Sequence, residues 1–172
     1  NDLTETGSPI LGICYGLQVL AFDMGGQVKP SPSREFGYAR LKVTQNNSPL
    51  FRGLPNEMDV WMSHGDHVET PPSGYDVTAR SATVQIAGMR HRSRPVYGVQ
   101  FHVEVAHTVR GSDIIGNFVF GVCGCEPTWT AGAFIDEMVL HRPFSSYPLV
   151  DGSGRLTGLV TLNRIRAVPI ER

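Results

Sequence analysis

The sequence predicts an α/β protein with an open, mostly parallel sheet flanked by helices. A short apolar run changes to helical spacing at Cys14, several short β-rich runs lie between residues 39 and 101, and a second helical period follows at 114–119. At 172 residues, 41% of them hydrophobic, the chain can bury a full core without disulfide or metal staples. That balance excludes a disordered chain. A formal charge of -1 argues against the basic footprint of a non-specific nucleic-acid binder. No apolar run approaches the ~20 residues that span a bilayer.

The elements follow in order. Residues 9–13 (PILGI) read as a strand, and Leu17, Leu20, Ala21 and Met24 then repeat at helical spacing until Gly25 and Gly26 offer an exit. Residues 30–38 (PSPSREFGY) read as a loop by composition. Short strands are expected at 39–43, 60–63, 75–80, 83–89 and 96–101, separated by stretches around Pro49, Pro55 and Pro71-Pro72. A helix over 114–119 should pack through one face, and another is expected over 131–140. Beyond Leu140 the charge balance reverses, with five basic and two acidic residues in 141–172. There 147–150, the turn DGSG, 156–161 and 163–168 read as strand, turn, strand and short helix. The expected organisation is a domain over 1–140 with an appended β-β-α segment over 141–172.

The strongest chemical feature is GICYGLQ, residues 12–18, which puts a cysteine where a buried strand turns sharply into a helix. The backbone N–H groups and dipole of the helix N-terminus favour a thiolate there, as a sulfur nucleophile requires. A buried core cysteine fits the same local pattern. A second cluster shifts the balance, because His102 and Glu104 lie two apart at a strand end and can point the same way. His102 could then serve as base to Cys14, with Glu104 holding its tautomer. The backbone N–H of Tyr15 is a natural oxyanion donor. The sequence does not identify a second donor.

Other residues carry plainer readings. His64, Asp66 and His67 could ligate a metal, but a loop that shapes a pocket or meets a partner accounts for them more simply. His91 among Arg90, Arg92 and Arg94 reads as a solvated turn, and Trp61 and Trp129 as packing anchors or ligand platforms. Cys123 and Cys125 read as buried thiols near a helix exit. Three cysteines cannot all pair within the chain, and residues 1–9 lack the charge pattern and apolar core of a signal peptide. Together these predict a cytoplasmic protein.

The elbow at 12–18 and GVQFHVEV at 98–105 resemble the class I glutamine amidotransferases, a flavodoxin-like fold. REFGY at 34–38, VWMSHGDH at 60–67 and the stretch 107–129 resemble the GMP synthase branch of that class. The resemblance implies a triad of Cys14, His102 and Glu104 that hydrolyses glutamine to glutamate and ammonia through a cysteinyl thioester. It implies a glutamine site drawn from Tyr15, Gln18, Ser63, His64, Gly65 and Asp66, with a surface facing a synthetase module as the other reading of the last four. The ammonia would aminate xanthosine monophosphate in an ATP-dependent GMP synthetase module or subunit. ATP and Mg belong to that module, and no cofactor is expected in this chain. An oligomer is expected, with no nucleic acid and no membrane as partner.

Against that pattern the chain is truncated at the N-terminus, lacking the first strands and a glycine-rich loop that supplies an oxyanion donor, so weak or no turnover of the chain alone is expected. Val103 stands where the family has proline, which predicts a looser path around His102. Residues 144–166 resemble half of a CBS domain, a unit that binds adenine nucleotides when paired; a packing or dimerising hairpin is the other reading. A catalytically silent binding or regulatory module is the alternative function.

Overall fold

In the computed structural model, which describes residues 6–45, 47–128 and 146–161, strand β1 (Ile10–Ile13) passes through Cys14 directly into helix α1 (Tyr15–Asp23). Gly25 takes the left-handed exit with φ 84°. Strands β2 (Gln27–Val43), β3 (Glu57–Thr70), β4 (Tyr75–Arg80), β5 (Gly88–His91) and β6 (Val96–Val99) complete a six-stranded sheet in the order β1-β6-β5-β4-β2-β3. β1 and β6 run parallel, with Ile10 opposite Val96 and Ile13 opposite Val99, and the other neighbouring pairs run antiparallel. The α/β class stands, with a mixed sheet. Parallel neighbours need a long crossover, whereas the short links at 81–87 and 92–95 admit only antiparallel returns.

Two segments expected as loops lie inside strands. Residues 30–38 belong to β2, and the SHGD stretch belongs to β3. The two strands pair along most of their length, so each supplies the other's backbone partners. Pairing breaks only locally: Pro30 opposes Asp66 and Glu35 opposes His64, leaving residues 31–34 across from Gly65. Such a bulge accommodates prolines that cannot donate to a ladder. Composition reads these residues as loop because it sees the prolines and not the partner strand.

The expected strand 83–89 is also shorter, since only Gly88 and Met89 enter β5. Residues 81–84 form a turn, with the Ser81 N–H donating to the Val84 carbonyl at 2.8 Å and the Val84 N–H to Ser81 Oγ at 3.0 Å. Val84, Ile86 and Ala87 are buried as a plug rather than as strand residues.

The expected helix at 114–119 is α2 (Gly111–Gly116) continuing into a π-helical turn over Asn117–Val122. The side-chain amide of Asn117 donates to the carbonyls of Leu50 (3.0 Å) and Arg52 (2.9 Å), tying the turn to a short 3-10 segment, Pro49–Phe51. Asn117→Ala strips both carbonyls of their donor and should cost about 1–2 kcal/mol, read as a lower urea midpoint at unchanged slope.

One core cluster joins Leu41, Val60, Met62, Val99, Phe101 and Ile114, and a second packs Leu17 and Ala21 of α1 on Val68, Met89 and Val96. By contacts the chain divides into units 1–125 and 126–172. In the second unit β7 (Ser146–Val150) and β8 (Leu156–Thr161) form an antiparallel hairpin. Its turn is held by the Asp151 carboxylate, which accepts from the N–H groups of Ser153 and Arg155. Trp129, the expected helix 131–140 and the expected helix 163–168 lie outside the described residues. Among the described residues, no helix is long and apolar enough to cross a membrane.

Candidate active site

Cys14 holds φ 51° and ψ −106°, and it is the residue other than glycine with positive φ among those described. That conformation is costly for a residue with a Cβ, and strain of this kind concentrates at functional positions. The Cys14 N–H donates to the Val99 carbonyl at 2.8 Å, prolonging the β1/β6 pairing by one step. From Val99 the chain continues through Gln100 and Phe101 to His102. Adjacent parallel strands thus deliver Cys14 and His102 to one end of the sheet.

Around Cys14 Sγ lie the Ser63 carbonyl at 3.6 Å and the side-chain amide of Gln100 at 3.8 Å. Burial pushes the thiol above its ordinary range; the Tyr15 backbone N–H and the Gln100 amide pull the other way, and the charge of Glu104 adds to the rise. The helix-terminal N–H expected to favour the thiolate is therefore present but outweighed by desolvation. The resting group is a thiol that needs a base.

His102 Nδ1 lies 2.6 Å from Glu104 Oε1. Burial pulls the Glu104 carboxyl upward, but the His102 bond and nearby backbone N–H groups outweigh it and hold the group below the usual carboxylate range. It is ionised at neutral pH and loses that charge only as pH falls through its lowered value. The backbone at His102 is fixed from β3: its N–H donates to the Trp61 carbonyl at 2.9 Å, and Thr108 Oγ1 both donates to the His102 carbonyl and accepts from the Trp61 N–H. Val103 is 2% exposed and sits in the core. Packing of Val103 and these bonds hold the backbone around His102 where the family has proline. Trp61 stacks on His107 at 4.4 Å between centroids, with Tyr38 edge-on at 5.2 Å, so it serves as a packing anchor.

Of the expected glutamine residues, Tyr15, Gln18 and Asp66 line one cavity of about 380 Å³ with Val19, Phe22 and Val28. Gln18 Nε2 donates to the Asp66 carbonyl at 2.8 Å. Ser63 offers its carbonyl to Cys14. Gly65 joins Asp66, Arg34 and Phe36 around a second cavity of about 450 Å³. His64 stands apart, 5% exposed, with its ring 3.2 Å from the Glu35 carboxylate. It occupies the inward face of β3 with Met58, Val60 and Met62, which turns its ring into the protein. His67 pairs with Glu69 at 3.0 Å, and His91 caps its own turn through the N–H groups of Ser93 and Arg94. Among the described residues, no three His, Cys, Asp or Glu side chains form a metal cluster. Cys123 is half-buried and Cys125 exposed, because the chain leaves the core after Val122; the expectation of two buried thiols is corrected. Sequence reasoning does not single out Gln100, although a polar residue inside the apolar run 96–101 is a signal.

Residues 1–122 match the family model for class-I glutamine amidotransferases. The chain belongs to that family. Among curated relatives, GMP synthase [glutamine-hydrolyzing] of Geobacillus kaustophilus is 53% identical over 135 residues, 78% of this chain and 26% of that protein. The enzyme of the same name from Latilactobacillus sakei is 47% identical over 138 residues, 80% of this chain and 27% of that protein. This amidotransferase chain thus spans about a quarter of the length of these relatives. A crystal structure assigned to a GMP synthase subunit from Thermoplasma acidophilum aligns with TM-score 0.65 and 42% identity, covering 67% of this chain and 57% of that one. A glutamine amidotransferase from Thermotoga maritima aligns with TM-score 0.55 and 26% identity, covering 72% and 53%. The amidotransferase match ends at residue 122, near the limit of the first compact unit.

Proposed function

We propose that this chain is the glutamine-hydrolysing part of a GMP synthase and works in the cytoplasm with an ATP-dependent synthetase module. The observation that carries the reading is the elbow thiol of Cys14 on the strand beside the one that leads to the bonded His102–Glu104 pair. The naming of its relatives supports the branch.

In this reading, glutamine enters the cavity lined by Tyr15, Gln18 and Asp66. Glu104 occupies Nδ1 of His102, which leaves Nε2 to take the Cys14 proton as Sγ attacks the side-chain amide carbon. The Tyr15 N–H receives the developing oxyanion. His102 returns the proton to the amide nitrogen, the C–N bond breaks and ammonia leaves a γ-glutamyl thioester. Water, deprotonated by His102, attacks the thioester carbon, releasing glutamate and restoring the thiol. Ammonia passes to the synthetase module, where ATP and Mg activate xanthosine monophosphate for amination; this chain contributes no cofactor.

The test is ammonia release from glutamine by the full chain with added synthetase modules. A GMP synthetase module with xanthosine monophosphate and ATP should stimulate release, and an anthranilate or carbamoyl phosphate module should not. Equal stimulation by either of the latter, or none by the former, would overturn the branch assignment.

A further inference from the structure

We propose that Gln100 is a positioning residue for the nucleophile, its buried side-chain amide donating to Cys14 Sγ and linking that sulfur through Gln18 to the cavity wall at Asp66. The proposal rests on the reading of Cys14 as the nucleophile.

Gln100 is 0% exposed, on the continuation of an apolar strand. A primary amide in such a place is costly unless its donors and acceptor find partners. Its backbone N–H is satisfied by the Ala87 carbonyl at 2.9 Å. Its side chain bridges two groups, with Oε1 3.4 Å from Gln18 Nε2 and Nε2 3.8 Å from Cys14 Sγ.

The direction of this chain of bonds follows from its far end. The Asp66 carbonyl can only accept, so Gln18 must turn its amide nitrogen toward it, at 2.8 Å. The same nitrogen carries a second hydrogen, which meets Gln100 Oε1. With its oxygen so engaged, Gln100 has only its nitrogen left for the sulfur. The sulfur therefore faces a fixed donor, which binds a thiolate more strongly than a thiol. This opposes burial and the Glu104 charge, both of which disfavour the thiolate.

The test follows iodoacetamide alkylation of Cys14 against pH in the full chain, with the modified peptide resolved from those of Cys123 and Cys125. Gln100→Met keeps length without the donor, and should raise the midpoint and slow alkylation at neutral pH by about tenfold. Gln100→Glu should raise the midpoint as well, by adding negative charge beside the sulfur. An unchanged midpoint in folded Gln100→Met would overturn the proposal. The second measurement needs no change at Gln100: its ¹⁵N side-chain amide resonances should shift with the Cys14 titration and lose that shift in Cys14→Ala. Amide resonances indifferent to Cys14 ionisation would also overturn it. Iodoacetamide reports on the thiol whether or not glutamine is hydrolysed, so loss of the glutaminase reading and loss of the Gln100 role give different results.

Discussion

His102→Asn should lower ammonia release from glutamine on the order of 10³-fold, measured with the stimulating synthetase module present, while KM changes little. The asparagine amide nitrogen overlays Nδ1, so it can keep the bond to Glu104 that is 2.6 Å long in the parent. What disappears is Nε2, the atom asked to take a proton from a thiol that burial keeps protonated. In this reading glutamine is held by Tyr15, Gln18 and Asp66, which the substitution leaves in place, so binding should survive. A rise in KM matching the loss in kcat/KM would instead make His102 a binding residue and remove the base from the mechanism.

Gly12→Ala should damage the elbow that carries Cys14. A Cβ there would stand 2.6 Å from both the carbonyl carbon and oxygen of Gly16, and 2.7 Å from Leu20 Cδ1. The leucine tip can turn aside, but the Gly16 backbone can yield only if the first turn of α1 moves away from β1. Overpacking of this kind costs about 1–3 kcal/mol. Because Cys14 lies between the two elements, a displacement of about 1 Å could lower its reactivity by ~10²-fold. Gly16→Ala is the matched control, since its added methyl meets nothing within 4 Å and alanine favours a helix. Urea unfolding and Cys14 alkylation of the folded fraction should separate the two variants. Equal behaviour would show that the close approach of β1 and α1 does not govern the elbow.

Local signals make parts of this fold legible. Strand, elbow and helix at 10–23 are written in a change of periodicity over a few residues, and the hairpin 146–161 in a turn whose aspartate bonds its own neighbours. β2 is obscured because its prolines and glycine favour loops locally, while the pairing that overrides them comes from β3, beyond the intervening segment 44–56. The buried ring of His64 can be read from Met58, Val60 and Met62, which set the inward phase of β3; grouping it with Ser63 and Asp66 follows the motif instead of the strand face. Cys14, His102 and Glu104 are recognisable because their residue types declare a chemistry. Gln100 declares none, and its role is set by Gln18 and Cys14, 82 and 86 residues away in sequence.

The central claim, that Cys14 is the residue glutamine acylates, is tested most directly by exposing the full chain to a diazo-ketone analogue of glutamine and locating the adduct by peptide mass. The account predicts modification of Cys14 ahead of Cys123 and the more exposed Cys125, protection by excess glutamine, and no adduct in Cys14→Ala. Equal modification of the Cys14→Ala chain, or an adduct confined to Cys123 or Cys125, would contradict it.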